Sequence, residues 1–402
     1  MVVDVTHVAV AHWNESCNGG GERVAWELGR QFDAPVWVGR RSPDIEPPDV
    51  TVRELHDGLL GRLVDRGGIS EMVAQQIGWE IAAPLREADV LITSGNEPLA
   101  YVPPAGQTWI HYVHHTSRQA TDLLPQVHRD PTGLVERATN GIERVVRKIE
   151  RQAYCSYARK PTLLVANSEV VARRIRRYWG VERDRIRVVH PPVPVHEYSP
   201  AAAPTGDYYL ALSRLDWHKR LGEVVDAFAG TDHELRIAGD GIKRDALEEQ
   251  AAGHDNIDLL GYVSEQRKRE LFAGARAVIN NALAEDFGLT TVEPLAAGTP
   301  VLGVREGMTQ HLVHDGLTGY SFERGDLAAA VDRFEREGGV WSPQRLAAFA
   351  RQFRPERFGD EMRDLVAEAR AQRRVDVDLD VPSPGFEPAD PTSAATDGGD
   401  QP

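Results

Sequence analysis

Two short segments hold most of the residues equipped for chemistry. The first, LSRLDWHKRL, places Arg214 and Lys219 five residues apart just after an apolar run. A guanidinium forks onto two phosphate oxygens and an ammonium acts as a point charge, so the pair can clamp a diphosphate. The second, AEDFGLTTVEPLAAGTPV, carries Glu285 and Glu293, with Phe287, Gly288 and Leu289 entering a helix between them. The first amides of a helix lack internal partners and favour phosphate oxygens. Glu293, about one turn inside that helix, can accept two hydrogen bonds from a ribose diol. Glu285, on the loop, can face a sugar. Gly19, Gly20 and Gly21 open the first helix and give a weaker anion signal, because such glycines also serve only to bend the chain. Their spacing departs from G-x-G-x-x-G and no ribose-binding acid follows, which disfavours a nicotinamide-dependent dehydrogenase.

These positions need a scaffold that gathers turns at one edge. From Val5 to about Phe334, short apolar runs alternate with longer amphipathic segments. Strands are predicted at Val5–Ala11, Val36–Gly39, Val90–Thr93, Trp109–Val113, Leu163–Ala166 and Ile186–Val189. A second series is predicted at Tyr208–Leu212, Leu235–Ala238, Ile257–Leu260, Ala277–Asn280 and Val301–Val304. Predicted helices between them include Glu22–Phe32, Ile69–Ala83, Gly133–Ala158, Arg220–Ala229, Lys243–Ala252, Ser264–Ala273 and Thr291–Ala297. This α/β alternation implies parallel sheets covered on both faces, which bind ligands beyond the carboxyl ends of their strands. HPPVPVHEYSPAAAPTGD, with five prolines, disfavours helix and central strand and divides the two series. The expected organisation is a Rossmann-like domain at 1–190, a connection at 191–206 and a second Rossmann-like domain at 207–354. An amphipathic helix at 355–374 and a disordered acidic tail at 375–402 follow.

The ordered blocks YLALSRLDWHKR, AGDG, GYVS and EDFGLTTVEPLAAGTPVLG resemble retaining nucleotide-sugar glycosyltransferases of family four. The resemblance runs from Cys17 to about Glu323 and is densest in the second half. It implies the GT-B fold, two Rossmann-like domains with parallel sheets facing across a cleft. It implies that Arg214 and Lys219 bind the donor diphosphate, and that Glu293 binds the ribose hydroxyls. Glu285 and the amides of Phe287, Gly288 and Leu289 would contact donor sugar and phosphate, and Gly241 and Val263 would lie against the base. The Gly19–Gly21 turn would lie across the cleft. The family places a histidine beyond the strand Trp109–Val113, near the transferred sugar; YVHHTSR offers His114 first and His115 second. Asn96 and Glu97, in a neighbouring loop, are candidate acceptor contacts. One departure is REGMTQHLVHDG, where His311 stands in place of the usual glutamate.

The implied reaction moves a sugar from a UDP- or GDP-type donor to a glycan or lipid-linked acceptor hydroxyl, with retention. Attack would come from the front face, the leaving phosphate taking the acceptor proton, with no metal or other cofactor required. Rival readings are a nucleotide-sugar epimerase or hydrolase, and a catalytically idle binding subunit.

Composition bounds the partners. The 402 residues carry 61 Asp and Glu against 46 Lys and Arg, a net charge of −15, which disfavours general nucleic-acid binding. Only five of the basic residues are Lys, and the balance fits a hydrated, salt-adapted surface. Two cysteines, Cys17 and Cys155, make neither a disulfide framework nor a structural zinc site. The start lacks signal-peptide features, so a cytoplasmic location is expected. Two stretches, 129–160 and 173–187, hold local basic excess. They suggest a phosphate-bearing acceptor or peripheral contact with an anionic membrane surface.

Overall fold

Successive residues of a strand point to opposite faces of its sheet, and here both sets are apolar. In Tyr208–Leu212, Tyr208 and Leu210 join one buried cluster while Tyr209 and Ala211 join another. In Thr108–Val113, Ile110 and Tyr112 separate in the same way from Trp109 and Val113. Strands apolar on both sides must be covered on both sides, which demands parallel sheets joined by crossover helices. The structure, a computed structural model, describes residues 7–14, 19–42, 49–56, 77–118, 121, 134–200, 206–337 and 341–380.

Two sheets meet that demand. Strands β1 (Val8–His12), β2 (Val36–Val38), β3 (Val52–Glu54), β4 (Val90–Ser94), β5 (Thr108–Val113), β6 (Leu163–Ala166) and β7 (Ile186–Val188) form the first, in the order β3-β2-β1-β4-β5-β6-β7. Strands β8 (Tyr208–Leu212), β9 (Glu234–Ala238), β10 (Ile257–Gly261), β11 (Ala277–Asn280), β12 (Val301–Val304) and β13 (Gly319–Phe322) form the second, in the order β10-β9-β8-β11-β12-β13. Adjacent strands pair in parallel, as in β1 with β4 and β8 with β9. The chain reverses its direction of travel between β1 and β4, and again between β8 and β11. Ligands enter such sheets at these switch points.

Two edge strands escape the sequence reading. β3 is a short, partly exposed VRE run. β13 begins at Gly319, which reads as a turn signal; a Cβ there would lie 1.7 Å from the Val301 carbonyl oxygen, so glycine is what lets this edge close. Most helices lie within about two residues of their predicted bounds, among them Gly20–Phe32, Leu134–Tyr157, Glu265–Gly274 and Leu289–Ala296. Of the predicted helix at 69–83, residues 69–76 lie outside the described residues.

The last helix, Pro355–Asp380, runs past position 374, and 381–402 lie outside the described residues. Phe358, Met362, Leu365, Val366 and Ala369, at helical spacing, share a core with Val10, Val24 and Ile110 of the first domain. The chain therefore crosses between domains twice. The Val193 amide donates to the Phe353 carbonyl at 2.8 Å where the crossings meet.

Candidate active site

The second domain presents charge. Beyond β8, a 3-10 turn at Trp217–Lys219 is closed by Arg220, whose left-handed φ of 50° is costly for a residue with a side chain. Arg220 holds that conformation by donating to the Asn281 carbonyl at 2.8 Å and to Glu306 at 3.0 Å. The turn so fixed presents Lys219, whose Nζ lies 2.6 Å from Glu285 Oε2. Burial pushes the Glu285 carboxyl upward, but the Lys219 ammonium, helped by Arg118, outweighs it and holds the pKa below the usual range. Arg214 is 70% exposed and pairs with Asp216 at 2.8 Å. Both cations of the sequence-read clamp thus stand at one strand end, each already facing a carboxylate.

Gly288, with φ of 89°, precedes the helix Leu289–Ala296, and no side chain caps that helix. Its loop is braced from several sides. The Phe287 ring is buried against His190 and Phe353, 5.6 and 5.5 Å between centroids. The Met308 amide donates to the Glu285 carbonyl at 2.8 Å, and Gly307, with φ of 56°, packs where a Cβ would meet Ala284 backbone at 2.3 Å. His311 sits exposed on the adjoining turn.

Glu293 departs from its open, diol-accepting picture. It is 2% exposed, and its Oε1 accepts from Arg23 Nη1 at 2.8 Å and Lys268 Nζ at 2.9 Å. Both cations also reach Glu265 Oε2, at 2.7 and 2.8 Å. In the AGDG turn, Cβ atoms at Gly239 and Gly241 would strike the Ser213 and Leu215 carbonyl oxygens at 1.8 and 2.7 Å. The chain's own backbone explains those glycines. Val263 packs against the second-domain core just before Ser264, which caps the helix Glu265–Gly274.

The first domain presents neutral hydrogen-bonding groups. Ser94, at the end of β4, bridges two rings: its Oγ lies 2.7 Å from His114 Nε2 and 3.2 Å from His12 Nδ1. Burial pulls His12 down to about 3, and drives His114 well below the ordinary imidazole value with neighbouring histidines adding to the fall. The Ser94 hydroxyl has one proton, so it donates to one ring and accepts from the other. Gly21 lies against both rings, and Gly20 so close to Leu289 that a Cβ would come within 2.6 Å of that side chain. Gly19 precedes the helix without a side-chain cap. His115 is exposed, and its Nδ1 lies 3.3 Å from Asn96 Nδ2 and accepts from the Ser117 amide at 3.2 Å. Glu97 starts the 3-10 turn Glu97–Ala100.

Residues from the first domain grip the loop of the second. Arg118 donates to the Leu283 carbonyl at 2.8 Å, while Arg174 donates to the Ala284 carbonyl at 2.9 Å and pairs with Asp286. Burial raises the Asp286 carboxyl, with Arg118 and Arg174 opposing. The space left at the ends of β8 and β11, among Leu212, Ser213, Lys219, Asn280 and Thr290, is about 10 Å³. A larger cavity of about 500 Å³, lined by His196, Tyr198, Arg351 and Arg354, opens beside the interdomain connection. Sequence reasoning missed His12, Arg23, Arg118, Arg174, Lys268 and Asp286.

The basic stretches are partly structural. Lys160 donates to the Ala100 and Tyr101 carbonyls, Arg185 to Arg159 and Pro161, and Arg187 pairs with Glu368. Arg173, Arg176, Arg177 and Arg183 remain exposed, as do Lys148 and Arg151 beside Val145, Val146 and Ile149. Among the described residues no group of three or more His, Cys, Asp and Glu side chains is placed to hold a metal ion. Nor is any helix among them long and apolar enough to cross a membrane.

Two family models divide the chain at the domain connection: Glycosyltransferase Family 4 matches residues 18–197, and Glycosyl transferases group 1 matches residues 198–353. The chain belongs to the family-four, group 1 glycosyltransferases. The D-inositol 3-phosphate glycosyltransferase of Nocardia farcinica is 29% identical over 44% of this glycosyltransferase chain and 47% of its own length. The matched region is thus about half that relative's length. The same-named protein of Streptomyces scabiei is 25% identical over 80% of this chain and 79% of its own. The alpha-monoglucosyldiacylglycerol synthase of Streptococcus pneumoniae is 31% identical over 30% of each chain. Among solved structures, Anabaena HepE in complex with UDP-glucose superposes with a TM-score of 0.67 at 17% identity, covering 90% of this chain and 99% of that one. That likeness establishes the shared two-domain glycosyltransferase fold.

Proposed function

We propose that the chain transfers a sugar from a nucleotide diphosphate donor to an acceptor hydroxyl with retention of configuration. The observation that carries this reading is the convergence of Arg214, Lys219, Glu285 and the uncapped helix start at Leu289 on one switch point, opposite Gly20 and His114. Departure of the nucleoside diphosphate builds negative charge. Arg214, Lys219 and the helix-start amides stabilise it in place, without reorganising at the moment of reaction. Glu285 orients Lys219 and faces the donor sugar, while Glu293 serves the ribose. Neutral His114 offers its ring to a sugar hydroxyl, and the leaving phosphate takes the acceptor proton. No metal enters this scheme.

The acceptor we favour is a phosphate-bearing or lipid-linked hydroxyl compound, met at the cytoplasmic face of a membrane. Support comes from relatives named for inositol phosphate and diacylglycerol acceptors. It comes also from the exposed Val145, Val146 and Ile149 set among Lys148 and Arg151. The test is incubation of purified protein with UDP- and GDP-sugars, alone and with inositol phosphate or glycolipid acceptors, followed by mass analysis. Transfer to acceptor is expected. Donor turnover that is equally fast without acceptor would instead favour the hydrolase or epimerase reading, and no turnover with any donor would favour the idle one.

A further inference from the structure

Arg23 stands on the opening helix of the first domain, yet its guanidinium lies among side chains of the second. Arg23, Glu293, Lys268 and Glu265 alternate in sign around a closed ring of four ion pairs. Glu293 Oε1 accepts from both cations, which fills the acceptor positions of that oxygen, and the Tyr198 hydroxyl also hydrogen-bonds the carboxylate. Lys268 shares a domain with Glu293, so its contact persists whatever the cleft does. The Arg23 contact exists only while the domains are together. The same approach seats Gly20 on Leu289.

We propose that Arg23 is a positioning residue of the donor site that stands in for the ribose: it occupies Glu293 when the donor is absent and is exchanged for the ribose hydroxyls when the donor enters. This rests on the reading of Glu293 as the ribose carboxylate. Every nucleotide that binds must displace Arg23, so the cost of breaking its pairs is subtracted from the apparent affinity. The same exchange run backwards expels the nucleoside diphosphate after transfer, as Arg23 returns to Glu293 and the cleft shuts.

Calorimetric titration of the full chain with UDP and GDP tests this. Arg23→Gln should bind whichever nucleotide the protein accepts about tenfold more tightly, because the competing state is lost. The donor KM and the product inhibition constant should fall by the same factor while kcat does not rise, and Arg23→Lys should return most of the shift. In a Glu293→Gln background, Arg23→Gln should change nothing, since the exchange partner is gone. Should Arg23→Gln fail to fold, Glu265→Gln loosens Arg23 from its other partner and should shift affinity in the same direction. Wild-type and Arg23→Gln proteins binding the nucleotide equally, or the variant more weakly, would overturn the role of Arg23 alone. If neither protein binds UDP or GDP, the donor-site reading falls and the role of Arg23 falls with it.

Discussion

The two walls of the cleft are built from opposite materials. On the first-domain side, buried His12 and Ser94 and half-buried His114 form a chain of neutral hydrogen-bonding groups. On the second-domain side, Lys219, Glu285, Glu293 and Lys268 are paired ions. A wall of neutral imidazole and hydroxyl suits a sugar, which brings hydroxyls and no charge. A wall of fixed ions suits a diphosphate, whose charge grows as it leaves. The few ions that the first domain does contribute, Arg23, Arg118 and Arg174, reach across into the second. Charge is thus concentrated on the second-domain wall, where the proposed leaving group would sit.

The contrast can be broken at four points. Glu293→Ala should cost about 3 kcal/mol in urea unfolding, because it strands Lys268 in the interior with only Glu265 as partner. The same variant should lose any preference for UDP over its 2′-deoxy analogue, and a retained preference would remove Glu293 from the ribose. Lys219→Ala should lower kcat roughly 10²- to 10³-fold, the range seen for loss of one preorganised charge-stabilising group; an unchanged kcat would take the ammonium out of the mechanism. Ser94→Ala should cost about 1–3 kcal/mol by unpairing two imidazoles, and should act on kcat more than on donor KM. The fourth is a pH trend, spread over several units.

The folded-state pKa of His12 and of the core residue His111 lies near 3, below the 6.5 of the free side chain. The unfolded chain therefore takes up protons first as pH falls. Stability should decline below about pH 6.5 by about 1.4 kcal/mol per pH unit for each histidine. Glu285 has the same sense in a lower pH window. Its depressed carboxyl adds stability above the ordinary value of 4.5, and that contribution is lost only as pH falls through the lower folded value. Unfolding free energy measured from pH 8 to 4 should fall from the histidine range onward. A flat profile down to pH 5 would mean that His12 and His111 are not held neutral.

What the chain disclosed in advance follows from how local each feature is. Strands such as Leu163–Ala166, Tyr208–Leu212 and Ala277–Asn280 are continuous apolar runs, and a run is visible without knowing its partners. Lys219, Glu285 and Gly288 lie in contiguous segments whose order and spacing carry information. Arg23 and Glu293 are 270 positions apart and Arg174 and Asp286 are 112 apart, so no window of sequence holds either pair. Lys268 was hidden for another reason. It stands in EQRKRELF, which reads as a solvated helix, and it is Glu293 from the neighbouring helix, together with Glu265 on its own, that makes its burial tolerable. His12 was overlooked because a histidine ending a strand looks like the strand's polar boundary. Its position beside Ser94 depends on the register between β1 and β4.

The return of the last helix to the first domain makes that domain discontinuous along the chain. Its core is completed by Phe358 and Met362, more than 150 residues after β7 has ended. No single cut separates the two halves cleanly: cleavage in the Pro-rich stretch still leaves them joined through residues 353–355. Two covalent tethers side by side, linked by the Val193–Phe353 hydrogen bond, also act as the pin of a door. They oppose twisting and sliding and leave one easy motion, a swing about the line through the crossings. If the proposed exchange at Glu293 occurs, its opening and closing follow that single arc, and Arg23 returns to Glu293 along it.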